Sequence, residues 1–152
     1  MNQKIIIAIS CPAGGKTTYY RKMLLQHNYT YLSADAIRKE LLGNENDQSK
    51  GNLIFKTFYE QLEQAIKDKK NIFVDNTNVT RRYRKDIIKR VKKYNNDYFI
   101  IGLVFQVPFY KLLWRDLWRK KRVGYKVIKH FYDKFELPNE SEGFHSIKYI
   151  ED

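Results

Sequence analysis

The stretch AISCPAGGKTTYY, residues 8–20, decides the fold of this chain. An apolar run leads into two adjacent glycines, and Lys16 and Thr17 follow them directly. This order is close to G-x-x-x-x-G-K-[ST], in which backbone amides and the lysine bind phosphates and the hydroxyl binds Mg²⁺. Ser10 replaces the first glycine, which a serine can do where φ is negative. A simple helix-capping turn is the alternative, but the position between an apolar strand and a helix favours a phosphate-binding loop.

Apolar runs alternate with amphipathic segments along the whole chain. We predict strands at 4–10, 29–33, 71–75 and 97–107 and in the tail HSIKYIED. We predict helices at 16–27, 34–43, 52–69, 80–94, 109–121 and 124–136. The alternation indicates a three-layer α/β fold, with a central parallel sheet of about five strands flanked by helices. In such sheets, ligands bind at the carboxyl ends of the strands.

The length and composition of the chain restrict the class of protein to which it can belong. The 152 residues suit one domain, residues 1–152, with no linker or internal repeat. The apolar run at the start is too short to span a membrane and lacks the cleavage site of a signal peptide. A single cysteine, Cys11, excludes an intrachain disulfide, so we expect a cytoplasmic protein without membrane contact.

The net charge of +12, from 29 basic and 17 acidic residues, favours a polyanionic partner such as nucleic acid. A compositional bias toward lysine and asparagine is the alternative explanation. Residues 81–93 hold eight basic residues and one acid, and residues 111–134 hold nine and two. In the first cluster, Tyr83, Ile87 and Val91 are predicted to form the inner face of a basic helix.

Two acidic positions follow predicted strands. Asp35 and Arg38, in SADAIR, share one face at a helix start, where a carboxylate can accept a hydroxyl proton and an arginine can bind an acceptor phosphate. Ordinary capping by Ser33 is the alternative there. Asp75 ends the run IFV, where an acid can hold Mg²⁺, although DNTN is also a common turn sequence.

A row of arginines, Arg115, Arg119 and Arg122, lies late in the chain. Arg115 and Arg119 are four residues apart, on one face of a predicted helix that belongs to a basic helical lid. Arginines above a bound nucleotide can stabilise the charge on a transferring phosphoryl group. A solvated basic surface is the alternative, which the small number of nearby acids makes less attractive.

Together these motifs resemble the kinase domain of the phage and bacterial 5′-hydroxyl polynucleotide kinases, a family of P-loop kinases. The resemblance covers residue 4 to about residue 150 and is carried by the motifs SCPAGGKTT, SADAIR, VDNTN followed by RR, and R-x-x-x-R. The chain lacks the D-x-D-G-T motif of the phosphatase module found in many relatives. It departs from the family at Asp116, where asparagine is common, and in DNTN, which leaves either Asp75 or Asn76 near the metal.

The resemblance assigns roles to individual residues. It implies an ATP site formed by Ala13, Gly14, Gly15, Lys16, Thr17, Thr18, Arg115 and Arg119. It implies Mg²⁺ on Thr17, with Asp75 contributing through water. It makes Asp35 the general base, with Lys16 and Arg119 as the other catalytic residues. It places Arg38 and Arg82 on the acceptor.

The resulting hypothesis is an ATP-dependent transfer of the γ-phosphate to the 5′-hydroxyl end of RNA or DNA, as in nucleic acid repair. A small-molecule kinase acting on a nucleoside, nucleotide or other metabolite is the alternative. A non-catalytic, nucleotide-gated nucleic-acid binder is a third hypothesis. The sequence leaves open a functional partnership with a nucleic acid ligase and the formation of homo-oligomers.

Overall fold

A computed structural model describes residues 2–151 of the chain. Five parallel strands form one sheet in the order β2-β3-β1-β4-β5. Their bounds are β1 Lys4–Ile9, β2 Thr30–Leu32, β3 Ile72–Val74, β4 Phe99–Phe105 and β5 Ser146–Ile150. The predicted α/β fold with a parallel sheet of five strands is therefore confirmed.

Six α-helices are present in the described residues. Their bounds are α1 Lys16–Tyr19, α2 Ala34–Leu42, α3 Gly51–Lys67, α4 Arg81–Tyr94, α5 Phe109–Leu117 and α6 Tyr125–Lys134. The first predicted helix is regular for only four residues, because a π turn (Tyr20–Leu24) and a 3-10 turn (Leu25–His27) follow α1. Helix α2 begins and ends as expected, with the Ser33 side chain accepting the Ala36 N–H and Gly43 at φ 76°.

The central strand β1 is buried on both faces, which explains its unbroken apolar sequence. On one face, Ile5, Ile7 and Ile9 pack with the apolar sides of α2, α3 and α4. On the other face, Ile6 and Ala8 pack with residues of β3, β4 and the irregular segment after α1. This packing fixes the end of β1, and hence the loop that follows it, at the middle of the sheet.

The inner face of α4 differs from the prediction. Arg84, Ile87, Ile88 and Val91 are buried, whereas the Tyr83 side chain is 54% exposed. The prediction that Tyr83 packs inward is therefore wrong, because a buried acid makes it possible for Arg84 to take the core position. Helix α5 also ends earlier than predicted, at Leu117, and residues 118–124 form a non-helical connection to α6. The prediction that Arg115 and Arg119 share one helix face is therefore wrong, because Arg119 lies beyond the helix end.

Within residues 2–151, no helix combines the length and the apolar character needed to cross a bilayer.

Candidate active site

Three chain segments meet at the carboxyl edge of the sheet, where β1, β2 and β3 end. They line one open cleft of about 1710 Å³, together with the helical lid formed by α5, α6 and their connection. Of the residues predicted from the sequence, the cleft wall contains Ala13, Gly14, Gly15, Lys16, Thr17, Thr18, Asp35, Arg38, Asp75, Arg115 and Arg119. Arg82 is exposed on α4 and lies outside that wall.

The loop after β1 is compact and has an unusual backbone. Ala13 and Gly15 adopt left-handed φ values of 67° and 101°, and the Gly14 N–H donates to the Cys11 carbonyl at 3.1 Å. A Cβ atom on Gly14 would lie 1.7 Å from the Ser10 Oγ, so only glycine fits there beside Ser10. The φ of Ser10 lies outside the left-handed region. Serine in place of the first glycine is thus compatible with a tightly wound loop.

Lys16 lies at the electrostatic centre of the cleft. Its Nζ is 3.5 Å from the Cys11 carbonyl. Burial lowers the pKa of Lys16, the carboxylates of Asp75 and Asp35 oppose this shift, and the positive charge of Arg119 adds to it. Groups from β1, β2, β3 and the lid therefore act on one ammonium group, as expected of a site that binds a highly charged ligand.

The Asp75 carboxylate faces the loop rather than solvent. Its Oδ2 accepts a hydrogen bond of 2.7 Å from the Thr17 hydroxyl and a second one from the Tyr31 hydroxyl. Burial, and then the Asp75 charge, raises the pKa of Tyr31, so that hydroxyl stays a donor. Asn76 points elsewhere, since its Oδ1 accepts the Ala34 N–H at the start of α2 at 2.8 Å. Sequence reasoning missed Tyr31, because it sits in an apolar strand without a polar motif.

Asp35 and Arg38 form an ion pair of 2.7 Å at the start of α2. The Arg38 side chain is only 9% exposed, and its Nε is buried without a hydrogen-bond partner. The Asp35 side chain is 63% exposed, yet the surrounding cleft displaces enough water to raise its pKa, against the charges of Arg38 and Lys16. Because Ser33 provides the helix cap, Asp35 remains available for another role.

The lid is organised by a buried carboxylate that sequence reasoning recognised only as a departure from the family pattern. Asp116 is 1% exposed and accepts the backbone N–H groups of Val123 and Gly124, both at 3.0 Å. Leu112 of α5 and Ile128 of α6 pack together beneath this connection. As a result, the connection folds back so that Arg115, Arg119 and Arg122 line the cleft.

A second buried carboxylate supports the turn after β3. Glu142 accepts from Arg84 Nε at 2.8 Å and from Arg84 Nη2 at 3.2 Å, and Arg84 Nη1 donates to the Asn78 carbonyl at 3.0 Å. Glu142 also belongs to a capping box with Asn139. The sequence NESE, residues 139–142, carries the signal of that box, but its arginine partner is far away in the chain.

The residues around the loop fit a nucleotide with Mg²⁺. The Thr17 hydroxyl and the Asp75 carboxylate present a pair of oxygen donors, which is the donor type that Mg²⁺ prefers. In residues 2–151, no three or more His, Cys, Asp or Glu side chains cluster as a metal cage. Mg²⁺ bound with a nucleotide is usually held by one or two protein oxygens, water and the phosphates of the substrate.

Comparison with known families assigns the chain to one of them. The family described as an AAA domain matches residues 5–138, which is most of the chain, so the protein belongs to this family. Its fold is that of P-loop kinases. The resemblance to a P-loop kinase domain, which the sequence predicts, is therefore confirmed.

One curated relative is the L-seryl-tRNA(Sec) kinase of Methanococcus maripaludis, strain S2, which is 26% identical over 148 residues. The match covers 88% of this chain and 53% of the relative, so the chain spans about half the length of that protein.

Two solved structures are similar in fold. One is a chain of the Pnkp1/Rnl/Hen1 RNA repair complex, with 19% identity, a TM-score of 0.69 and coverage of 89% of this chain and 47% of that chain. The other is Kti12 of Chaetomium thermophilum in complex with ADP-AlF3, with 16% identity, a TM-score of 0.68 and coverage of 96% and 88%. At these identities the likeness describes the fold.

Proposed function

We propose that this AAA-domain protein is an ATP-dependent kinase that transfers the γ-phosphate of ATP to the 5′-hydroxyl end of RNA or DNA. One observation carries the proposal: Lys16 and the Asp35 carboxylate open into the same cleft, with Arg38 and Arg119 on its walls. A phosphate donor at the loop and a hydroxyl acceptor at α2 would therefore meet in one space.

The loop provides the donor side of the reaction. Its amide groups and the Lys16 ammonium would hold the β- and γ-phosphates, at the positive end of the helical segment that starts at Lys16. Thr17 and Asp75 would hold Mg²⁺, which supplies positive charge against the phosphate oxygens when bound. Tyr31 keeps the Asp75 carboxylate in place through its hydrogen bond.

Asp35 provides the acceptor side. Its carboxylate would take the proton of the 5′-hydroxyl while the hydroxyl oxygen bonds to the γ-phosphorus and the bond to ADP breaks. Arg38 has a buried Nε without a partner, which suits a phosphate of the acceptor strand as a further ligand. The ion pair between the two side chains orients Asp35 before the acceptor arrives.

The lid provides charge for the moving phosphoryl group. Arg119 lies close enough to affect the pKa of Lys16, and both residues line the cleft. An arginine in this place would neutralise the negative charge of the transition state, an effect that is worth ~10³-fold or more in rate in related reactions.

Two observations favour a polynucleotide over a small acceptor. The acceptor side carries partly exposed aromatic rings, Phe55 and Tyr83, which suit a nucleobase. The relative from Methanococcus maripaludis is named for a tRNA-linked acceptor, and one structural neighbour belongs to an RNA repair complex. The partnership with a ligase remains a prediction.

An acceptor competition assay tests the proposal. The protein is incubated with γ-labelled ATP and Mg²⁺, and is offered 5′-hydroxyl RNA, 5′-hydroxyl DNA, nucleosides, nucleotides and other small metabolites that carry a hydroxyl group. We expect label on the 5′ end of the oligonucleotides, with transfer that weakens as salt rises. Label on the monomers alone would contradict the proposal in favour of a small-molecule kinase. Nucleotide-dependent RNA binding without transfer to any acceptor would contradict it in favour of a non-catalytic binder.

A further inference from the structure

The most exposed aromatic side chains lie together on α5 and just after it. Trp118, Tyr110 and Trp114 are 76%, 69% and 63% exposed, more than any other large apolar side chain between residues 2 and 151. Leu117, which is 54% exposed, lies among them. We call these four residues the aromatic face. Rings of this size normally stabilise a core or an interface, so their clustering in water indicates a binding surface.

The aromatic face is distinct from the cleft but adjoins it. Tyr110 and Trp114 are four residues apart on one side of α5, and Trp118 follows at the same interval as the first residue after the helix. The centroids of the two indole rings are 6.1 Å apart, with an angle of 65° between the ring planes. Each tryptophan is next in sequence to a cleft arginine, Arg115 or Arg119. A chain lying on this face would therefore reach the mouth of the cleft.

The charge beside the face is strongly positive. Residues 119–122, RKKR, are all exposed and follow Trp118 directly; we call them the basic turn. The nearest acid in sequence, Asp116, is buried and accepts two backbone N–H groups, and the Arg122 Nε lies 3.7 Å from it. Protein–protein interfaces are depleted of lysine at their core. Aromatic rings beside a basic groove are instead the usual platform for single-stranded nucleic acid.

We propose that the aromatic face and the basic turn bind the single-stranded part of a nucleic acid beyond its terminal nucleotide. Bases would stack on Trp114 and Trp118, and phosphates would contact the basic turn. This inference rests on the proposed function, because the neighbouring cleft would hold the 5′ end of the same strand. Stacking is tolerant of sequence, so the surface would lengthen the binding site without selecting particular bases.

Intrinsic fluorescence tests the surface without any assay of activity. The chain has two tryptophans, and both belong to the aromatic face, so all tryptophan emission reports on it. The protein is titrated at low salt with single-stranded oligothymidylate of about twelve nucleotides, a length within the usual site range. We expect strong quenching that salt reverses, whereas inorganic polyphosphate of similar charge binds with little quenching. Absence of quenching by the oligonucleotide, or quenching only by anionic lipid vesicles, would overturn the inference.

Kinetics with acceptors of two lengths supply the second test. We expect the double variant Trp114→Ala/Trp118→Ala to raise KM for a 5′-hydroxyl 12-mer about tenfold or more, the size of lost base stacking. The KM for a dinucleotide and for ATP should stay unchanged, and Phe at both positions should retain most of the affinity. Tyr149→Ala, which removes a ring that is 50% exposed on β5, is the matched control and should change neither KM.

The two hypotheses fail in different ways. If the double variant keeps the wild-type KM for the 12-mer, the aromatic face is not a binding surface, while the proposed kinase activity stands. If the wild-type protein phosphorylates neither acceptor, the proposed function fails, and the fluorescence titration still decides whether the face binds single strands.

Discussion

The protein contains two arginine-rich segments that look alike in sequence and serve different ends in the structure. In α4, Glu142 accepts two of the three hydrogen bonds of the Arg84 guanidinium, and the arginine is fully buried in the core. In the lid, the buried acid Asp116 instead accepts backbone N–H groups. Arg119 is thereby left on the wall of the cleft, whereas the Arg122 Nε lies 3.7 Å from the Asp116 carboxylate. Where the buried carboxylate accepts hydrogen bonds from the arginine, the arginine supports the fold. Where it accepts them from backbone N–H groups, the arginine can bind a ligand.

The largest expected effect separates the two segments by function. Replacing Arg119 with Ala should lower the rate of the phosphoryl-transfer step by ~10³-fold, because charge on the transferring phosphoryl group loses its neutralising partner. The free energy of unfolding should stay within about 0.5 kcal/mol of wild type, since the side chain is exposed. Single-turnover transfer and urea denaturation measure the two quantities. Near-normal transfer by this variant would show that the lid arginine is not catalytic.

The Arg84→Ala variant should differ from Arg119→Ala in that its main effect is a loss of stability. Removing Arg84 leaves the buried Glu142 carboxylate with only the more distant Arg81 Nε, 3.8 Å away, as a charged partner, and loss of a buried ion pair costs about 3–5 kcal/mol of unfolding free energy. Arg82→Ala, on the exposed side of the same helix, is the matched control and should change stability little. Equal stability of the two variants in urea denaturation would contradict the structural role of Arg84.

Asp116→Ala should loosen the lid with a smaller effect. Its loss leaves the N–H groups of Val123 and Gly124 without their acceptor, a cost of about 1–3 kcal/mol for each group that stays buried. Hydrogen exchange should accelerate in residues 118–128 while β1 and β4 stay protected. Asp116→Asn keeps one acceptor oxygen and should have an intermediate effect. Unchanged exchange in the Ala variant would remove Asp116 as the organiser of the lid.

The smallest expected effect is a shift in pH dependence. A base must be deprotonated to act, and the cleft raises the pKa of Asp35 above its ordinary value of 3.8. The acid limb of kcat/KM, which reports the free enzyme, should therefore lie at higher pH than for an ordinary aspartate. Arg38 lowers that pKa, so Arg38→Gln should move the limb further up. A profile of kcat/KM against pH measures this, and a downward shift in the variant would contradict the assignment.

The contrast also shows which parts of the molecule can be predicted from sequence. The phosphate-binding loop and the start of α2 are encoded locally: Gly14 is dictated by Ser10 four residues earlier, and Ser33 caps the helix beside Asp35. The burial of Arg84 depends on Glu142, which is 58 residues away in the chain. No local pattern marks Arg84 as buried, so Ile87 and Val91 were predicted correctly on the inner face of α4, whereas Tyr83 was predicted there in place of Arg84.

The same reasoning applies to the acids of the site. Asp75 was predicted near the metal, but only the structure shows that Thr17, 58 residues away, and Tyr31 donate to its carboxylate. Asp116 was noted as a departure from the family, without a role. Side chains that act through partners from distant segments cannot be assigned by spacing alone.

The central claim is that a nucleotide at the loop and a hydroxyl at α2 meet in one cleft, with Asp35 accepting the proton. The most direct measurement is single-turnover transfer from labelled ATP to a 5′-hydroxyl oligonucleotide by the Asp35→Ala variant, with ATP binding measured on the same sample. We predict that transfer is abolished while ATP is bound as tightly as by the wild type. Transfer at the wild-type rate by this variant would contradict the claim.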